Sequence, residues 1–198
     1  MKNFKITHRF SDITEVENTL AKLDKQKIVF DIIQDDSEKF SGIDGNTISD
    51  VIIIFNNHWN EIIIYPAIYD VIKGAIALLW KKVKVRFDKA KELNIDGIHN
   101  VHISFELNKE GEIKFDLNGD LDSKQIDSVI DRLFSQAKNQ KEISKLTSNP
   151  DYLEKELDKP RIRMSFNKES NKWEPVNFQV IEDYWKKKMD EANNNINN

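Results

Sequence analysis

The chain of 198 residues contains no cysteine. Disulfide bridges, a thiol nucleophile and a zinc–thiolate centre are therefore excluded. Glycine and proline are scarce, at six and four residues, which argues against collagen-like or low-complexity organisation. Neither sign of charge predominates, because the chain has 30 basic and 34 acidic residues and a formal net charge of −4. No overall positive field would attract a polyanion, so nucleic acid is not the expected partner.

Long hydrophobic runs are missing as well. The most apolar segment, residues 65–80, is interrupted by Asp70 and Lys73 and is shorter than the roughly 20 apolar residues that cross a bilayer. The first residues lack the apolar core and small-residue cleavage site of a signal peptide. We therefore expect a cytoplasmic protein that has no membrane partner.

Large apolar side chains are nevertheless plentiful, with 11 Phe and 4 Trp in a chain that is 39% hydrophobic. This supply can offset the entropy of ordering the chain, so one compact domain is expected. Alternation in residues 4–8 predicts a first strand, and Asp12 with Glu15 has the spacing of a capping box at a helix start. Residues 27–33 and 51–55 are β-branched and apolar, which predicts two further strands.

Residues 59–93 allow two interpretations. In the first, residues 61–65 form a hairpin with the preceding strand and a helix starts at Pro66. In the second, which we favour, a helix starts near Trp59 and is kinked at Pro66. Both give a long helix to about Leu93 with one apolar stripe. That stripe comprises Ile68, Ile72, Ile76, Leu79, Val83, Phe87 and Ala90.

The strongest local signal lies in residues 101–107 and 112–117, which alternate apolar and polar side chains on either side of a turn that contains Gly111. This pattern predicts a β-hairpin with one buried face, to which Phe105, Ile113 and Phe115 contribute. Asp122 and Ser123 then predict a helix cap. The following apolar stripe comprises Ile126, Val129, Ile130, Leu133, Phe134 and Ala137.

The order of these elements predicts an α+β fold: a ferredoxin-like, split βαβ core with an added hairpin strand. We assign the core to residues 1–147 and a C-terminal extension packed on it to residues 148–192. In that extension we expect a short helix over 151–157, a strand over 161–166 and a final amphipathic helix. Residues 193–198 are polar and are expected to form a disordered tail.

Two patterns suggest metal ligands, and neither is convincing. His99 and His102 lie three apart, but in a strand such residues point to opposite faces. The segment from Asp116 to Asp122 has oxygen ligands at calcium-loop spacing, yet Leu121 stands where the sharp turn requires glycine. A turn that leads into the helix cap explains the same residues, and we expect neither a metal nor another cofactor.

Two alternatives for function involve charged residues. Asp96, Glu112 and Lys114 follow the acid, acid, lysine order of metal-dependent nucleases and hydrolases, although alternation along a strand explains the latter two residues. Residues 81–91 contain six basic side chains and one acid, Asp88, which would allow nucleic-acid binding. On a helix these bases do not form one patch, and the spacing of Lys84 and Asp88 predicts an ordinary surface ion pair.

Elimination leaves a non-catalytic module that binds another protein. Aromatic side chains are dense in the last fifty residues, and Trp and Tyr commonly anchor protein interfaces. We therefore predict partner-binding residues at Trp173, Phe178 and Trp185. Trp173 is the main candidate because its flanking residues, Lys172 and Glu174, predict an exposed turn. The alternative is that this segment covers the sheet and is buried.

Overall fold

A computed structural model describes residues 3–35, 47–95, 98–107, 111–154, 160–181, 183, 184 and 186. Seven strands and five α-helices are defined over these ranges. The strands are β1 (Phe4–His8), β2 (Phe30–Gln34), β3 (Thr47–Phe55), β4 (Ile98–Glu106), β5 (Glu112–Asn118), β6 (Arg161–Asn167) and β7 (Lys172–Pro175). The helices are α1 (Thr14–Leu20), α2 (Trp59–Ile62), α3 (Pro66–Glu92), α4 (Ile126–Ala137) and α5 (Gln140–Thr147).

All seven strands form one mixed sheet in the order β2-β1-β3-β4-β5-β6-β7. Three neighbouring pairs are parallel, namely β1 with β2, β3 with β4, and β5 with β6. Each parallel pair is connected through helical segments, whereas antiparallel contacts join one pair to the next. The α+β class expected from the sequence is confirmed.

The ferredoxin-like arrangement is not confirmed. A split βαβ unit leaves room for another strand between its two parallel strands. Here β1 and β2 are direct neighbours, with Phe4 opposite Phe30 and Ile6 opposite Ile32. The first unit is therefore an ordinary βαβ crossover, in which α1 and a 3₁₀ turn connect adjacent parallel strands.

The predicted hairpin is confirmed in place. Phe105 of β4 lies opposite Ile113 of β5, and the side chains of Phe105, Ile113 and Phe115 are fully buried. Gly111 adopts a φ of 104°, and a Cβ at this position would lie 1.9 Å from the carbonyl oxygen of Pro160. Only glycine permits that close approach, which brings the start of β6 beside β5.

Helix α3 begins at Pro66, where a proline suits the first helical turn. The preceding α2 is a separate short helix, so the favoured start near Trp59 is confirmed but the continuous kinked helix is wrong. Strand β3 pairs with β1 and β4, which excludes the hairpin with residues 61–65. Helix α3 crosses one face of the sheet and contacts both α1 and α4.

The core lies between this helical layer and the sheet. The rings of Phe55 and Phe105 stack at 4.9 Å, and Phe134 of α4 meets both edge-on. The predicted stripe of α4 is buried throughout, as is the stripe of α3 apart from Phe87, which is half-buried. No helix in the described ranges combines the length and apolar character needed to span a membrane.

The predicted C-terminal extension contributes two strands to the sheet. Strand β6 pairs with β5, and β7 continues the sheet from β6. A boundary at residue 147 would therefore divide a continuous sheet, and the view that the sheet is complete without residues 148–192 is wrong. Only a 3₁₀ turn over Pro150–Tyr152 is found where a helix over 151–157 was predicted, and residues 155–157 and the 193–198 tail lie outside the described ranges.

Candidate functional site

The residues predicted to bind a partner lie in different environments. Trp173 belongs to β7 and is only 6% exposed, so the exposed turn on which its prediction rested is wrong. Its side chain falls on the helix-covered face of the sheet, where its ring meets Phe115 at 5.1 Å. Phe178 is half-buried at the start of a helical segment after β7, and Trp185 lies outside the described residues. The partner role of Phe178 stays a prediction.

The acidic residues of the two metal hypotheses do not converge. Asp116 lies on the sheet, Asp120 pairs with Lys168, and Asp122 accepts a hydrogen bond from the backbone N–H of Lys124. Glu112 is paired with Arg161 at 3.1 Å, and Asp96 lies outside the described residues. Within the part of the chain that is described, no three metal-ligating side chains come together.

His99 and His102 project to opposite faces of β4, as their spacing predicts. His102 is buried on the face of the sheet opposite to Phe105, where its Nδ1 faces Asp116. Because an ionised carboxylate only accepts hydrogen bonds, Nδ1 carries the proton. Burial lowers the pKa of His102, and this effect outweighs the opposing hydrogen bond and charge of Asp116.

Asp116 is held between two donors on the same face of the sheet as His102. His102 donates to one carboxylate oxygen, and Arg163 Nε donates to the other at 2.5 Å. Burial favours the neutral carboxyl, but the hydrogen bond from His102 and the neighbouring charges outweigh it and hold the pKa of Asp116 below its usual range. Asn100, two residues before His102, is fully buried, and neither of its side-chain polar atoms has a hydrogen-bond partner among the described residues. His102, Asp116 and Arg163 form a hydrogen-bonded group that joins β4, β5 and β6.

A second charged group lies on the helix side, where β3 carries an irregularity between Ser49 and Val51. The fully buried Asp50 at this point accepts from Arg86 Nη1 at 2.7 Å and faces His99 Nδ1 at 2.7 Å. Arg86 also donates to the carbonyl oxygen of Arg9 and stacks 4.3 Å from the ring centre of Phe10. Arg86 therefore ties α3 to the loop that follows β1.

A cleft of about 480 Å³ lies beside Arg86, which is one of its lining residues. Helix α3 forms one wall of the cleft. The segment that leads into α1, together with Glu15 of α1, forms the other. The apolar lining consists of Phe10, Leu78 and Val85, and the basic lining consists of Lys81, Lys82, Arg86 and Lys89. Ser11, Asp12 and Glu15 complete the cleft. Val85 is 56% exposed, whereas the apolar stripe on another side of the same helix is buried apart from Phe87.

The charges in this cleft differ in their availability. Ion pairs within the described ranges engage Lys84 and Arg86 but none of Lys81, Lys82 and Lys89. Asp12 is occupied, because its carboxylate accepts from the backbone N–H and the hydroxyl of Thr14, and these bonds lower its pKa. Lys81 and Lys89 therefore have no ion-pair partner among the described residues, and Lys82 lies near enough to Asp12 for its charge to contribute to the lowered pKa of Asp12.

The sequence did not identify this site. It predicted that the basic residues of 81–91 do not form one patch, which is wrong, because Lys81, Lys82, Arg86 and Lys89 line one cleft. The predicted pair of Lys84 and Asp88 is confirmed, with the two side chains 3.2 Å apart. Phe10 and Asp50 were missed because neither belongs to a local motif, and only tertiary packing brings them to Arg86.

Comparison of this chain with protein families, curated proteins and solved structures found no match.

Proposed function

We propose that this protein is a non-catalytic interaction module that binds another protein in the cleft between α1 and α3. One observation carries the proposal: an exposed apolar side chain, Val85, lies in a concave surface between Lys82 and Lys89, neither of which forms an ion pair with another described residue. Interfaces combine an apolar centre with a polar rim, and this cleft has both.

The side chains around the cleft favour binding over catalysis. Arg86 is fully engaged by Asp50, by the carbonyl of Arg9 and by the Phe10 ring. Asp12 is engaged by Thr14 and remains ionised, so it is not a proton donor near neutral pH. The cleft offers shape and charge without a paired nucleophile and base.

Nucleic acid is the second candidate, because the same lysines could contact phosphates. Two carboxylates argue against it, since Asp12 and Glu15 line the same cleft and would repel a continuous polyanion. A protein segment can place acidic groups near the lysines and keep them away from Asp12 and Glu15. The proposal therefore favours a protein.

Site-specific photo-crosslinking tests this function. We would replace Val85 by p-benzoylphenylalanine in the full chain, irradiate cells of the source organism, and look for discrete adducts. The matched control is the same replacement at Val29, which is 48% exposed but far from the cleft in sequence and fold. We expect protein adducts at position 85 that the double variant Lys82→Glu/Lys89→Glu abolishes. Adducts that nuclease treatment reduces to the mass of the uncrosslinked chain, or the same adducts at both positions, would overturn the proposal.

A further inference from the structure

We infer that the occupant of the cleft is an acidic amphipathic α-helix of the partner protein. This inference rests on the proposed function and specifies the chemistry of the partner.

The spacing of the lining residues matches a helix lying along α3. Leu78, Lys82, Val85 and Lys89 follow one another at intervals of four, three and four residues, so they form a single stripe. At a rise of 1.5 Å per residue this stripe is roughly 16 Å long, or about three helical turns. An incoming helix of similar length would contact the two apolar side chains one after the other.

The backbone of the walls favours a helical occupant over an extended one. Both walls include helices, and the interior N–H and C=O groups of a helix bond to one another. The start of α1 is also satisfied, since Val16 and Glu17 donate to the carbonyl of Ile13, and Thr14 donates to Asp12. An extended segment gains affinity by pairing its backbone with a free strand edge, which these walls do not offer. A helix pairs its own backbone and binds through its side chains.

Charge sets the composition of the occupant. Lys82 and Lys89 flank Val85 on the stripe, and Lys81 lies beside them, so acidic side chains are required on the side that faces α3. Glu15 on the opposite wall disfavours acids there and favours a neutral or basic residue. The apolar face of the occupant would rest on Val85, Leu78 and the ring of Phe10, which Arg86 holds in place. These features together describe an amphipathic helix with one acidic flank.

Fluorescence anisotropy with the full chain tests this inference. The probes are 18-residue fluorescein-labelled peptides made from Leu, Ala and Glu: one with an amphipathic order, one scrambled to the same composition, and one with Lys in place of Glu. An 18-nucleotide single-stranded RNA is the fourth probe. We expect the amphipathic acidic peptide to bind at least about tenfold more tightly than the other three, which corresponds to roughly 1.4 kcal/mol.

Two variants and a matched control assign the binding to the cleft. Val85→Asp and Lys82→Glu/Lys89→Glu should each lower the affinity for the amphipathic acidic peptide by about tenfold or more. Lys141→Glu/Lys145→Glu changes the net charge by the same amount on α5, away from the cleft, and should change affinity by less than about twofold. Melting temperatures of all variants verify that they are folded.

The possible failures are distinguishable. Equal binding of the scrambled peptide, or equal weakening by the α5 control, would show general charge attraction and overturn the helix inference. Tight binding of the RNA alone would overturn both this inference and the proposed function. If position 85 crosslinks a protein in cells while the acidic helix does not bind, the proposed function stands and the helical occupant is wrong.

Discussion

Trp173 connects the end of the sheet to the helical layer. Its ring contacts Phe115 and Phe166 edge-on, and its indole N–H donates to the carbonyl of Val129 in α4 at 3.2 Å. A buried aromatic side chain in this position contributes both apolar burial and a hydrogen bond that leaves no polar group unpaired. Trp173 therefore belongs to the core, and its removal should be costly.

We predict that Trp173→Ala lowers the free energy of unfolding by about 3 to 5 kcal/mol, as expected for a large aromatic removed from a packed site. Trp173→Phe keeps an aromatic ring and loses the hydrogen bond, so it should lower the free energy of unfolding by clearly less than Trp173→Ala. Urea unfolding monitored by circular dichroism measures both. A Trp173→Ala protein within about 1 kcal/mol of the wild type would contradict this role.

The burial of Trp173 could not be deduced from its neighbours in the sequence. Lys172 and Glu174 are polar, and the segment follows a turn, so local chemistry suggested exposure. Its burial is decided by the pairing of Phe166 with Trp173 and by the α4 side chains above them. Alternation within a four-residue strand is too short a signal to reveal this, whereas the longer alternation around Phe105 and Phe115 was sufficient.

At the level of elements, the polar group on β4, β5 and β6 makes stability depend on pH. The pKa of His102 is lowered from its usual 6.5, so the unfolded chain binds this proton more readily than the folded one. The contribution of His102 to the free energy of unfolding is therefore fully present above about pH 6.5, and it is lost as the pH falls below that value. The lowered pKa of Asp116 acts in the same direction, in a more acidic window that begins near its usual 3.8.

We predict that His102→Gln flattens the dependence of unfolding free energy on pH between about pH 7 and 5. The variant should also be less stable at pH 7. The amide nitrogen of Gln lies one bond farther from Cβ than Nδ1 of His and does not reproduce the hydrogen bond to Asp116, which stays buried and charged. His58→Gln is the matched control, because the His58 side chain is half exposed and its ring Nδ1 faces Glu61 at the surface. Urea titrations at several pH values provide the test. An unchanged pH slope in His102→Gln would show that His102 does not titrate as proposed.

The sequence predicted most of the helices and strands that bury one face. Alternation predicted β4 and β5, and the 3.6-residue stripe predicted α3 and α4. Strand β2 starts at Phe30 instead of residue 27, because the backbone at Lys27 takes a left-handed conformation with a φ of 57°. The parallel pairing of β5 with β6 could not be predicted from the sequence, because the two strands lie more than forty residues apart along the chain.

At the scale of the whole molecule, the sheet depends on its last two strands. Strand β6 covers the outer edge of β5, and its Ile162 and Met164 are fully buried in the core. Without residues 148–192 the edge of β5 and the Phe115 side chain would face water. The predicted division at residue 147 therefore separates parts that stabilise each other.

We predict that a chain ending at residue 147 does not form a native core, whereas the full chain unfolds in one cooperative transition. The physical reason is the loss of Ile162, Met164 and Trp173 from one continuous hydrophobic cluster. Removal of residues 193–198, which are polar, is the matched control and should leave the unfolding midpoint within about 0.2 M urea of the full chain. Near-ultraviolet circular dichroism and urea titration measure the outcome. If the 1–147 chain keeps a native near-ultraviolet signal and a sharp transition, β6 and β7 form a dispensable addition and the core is complete without them.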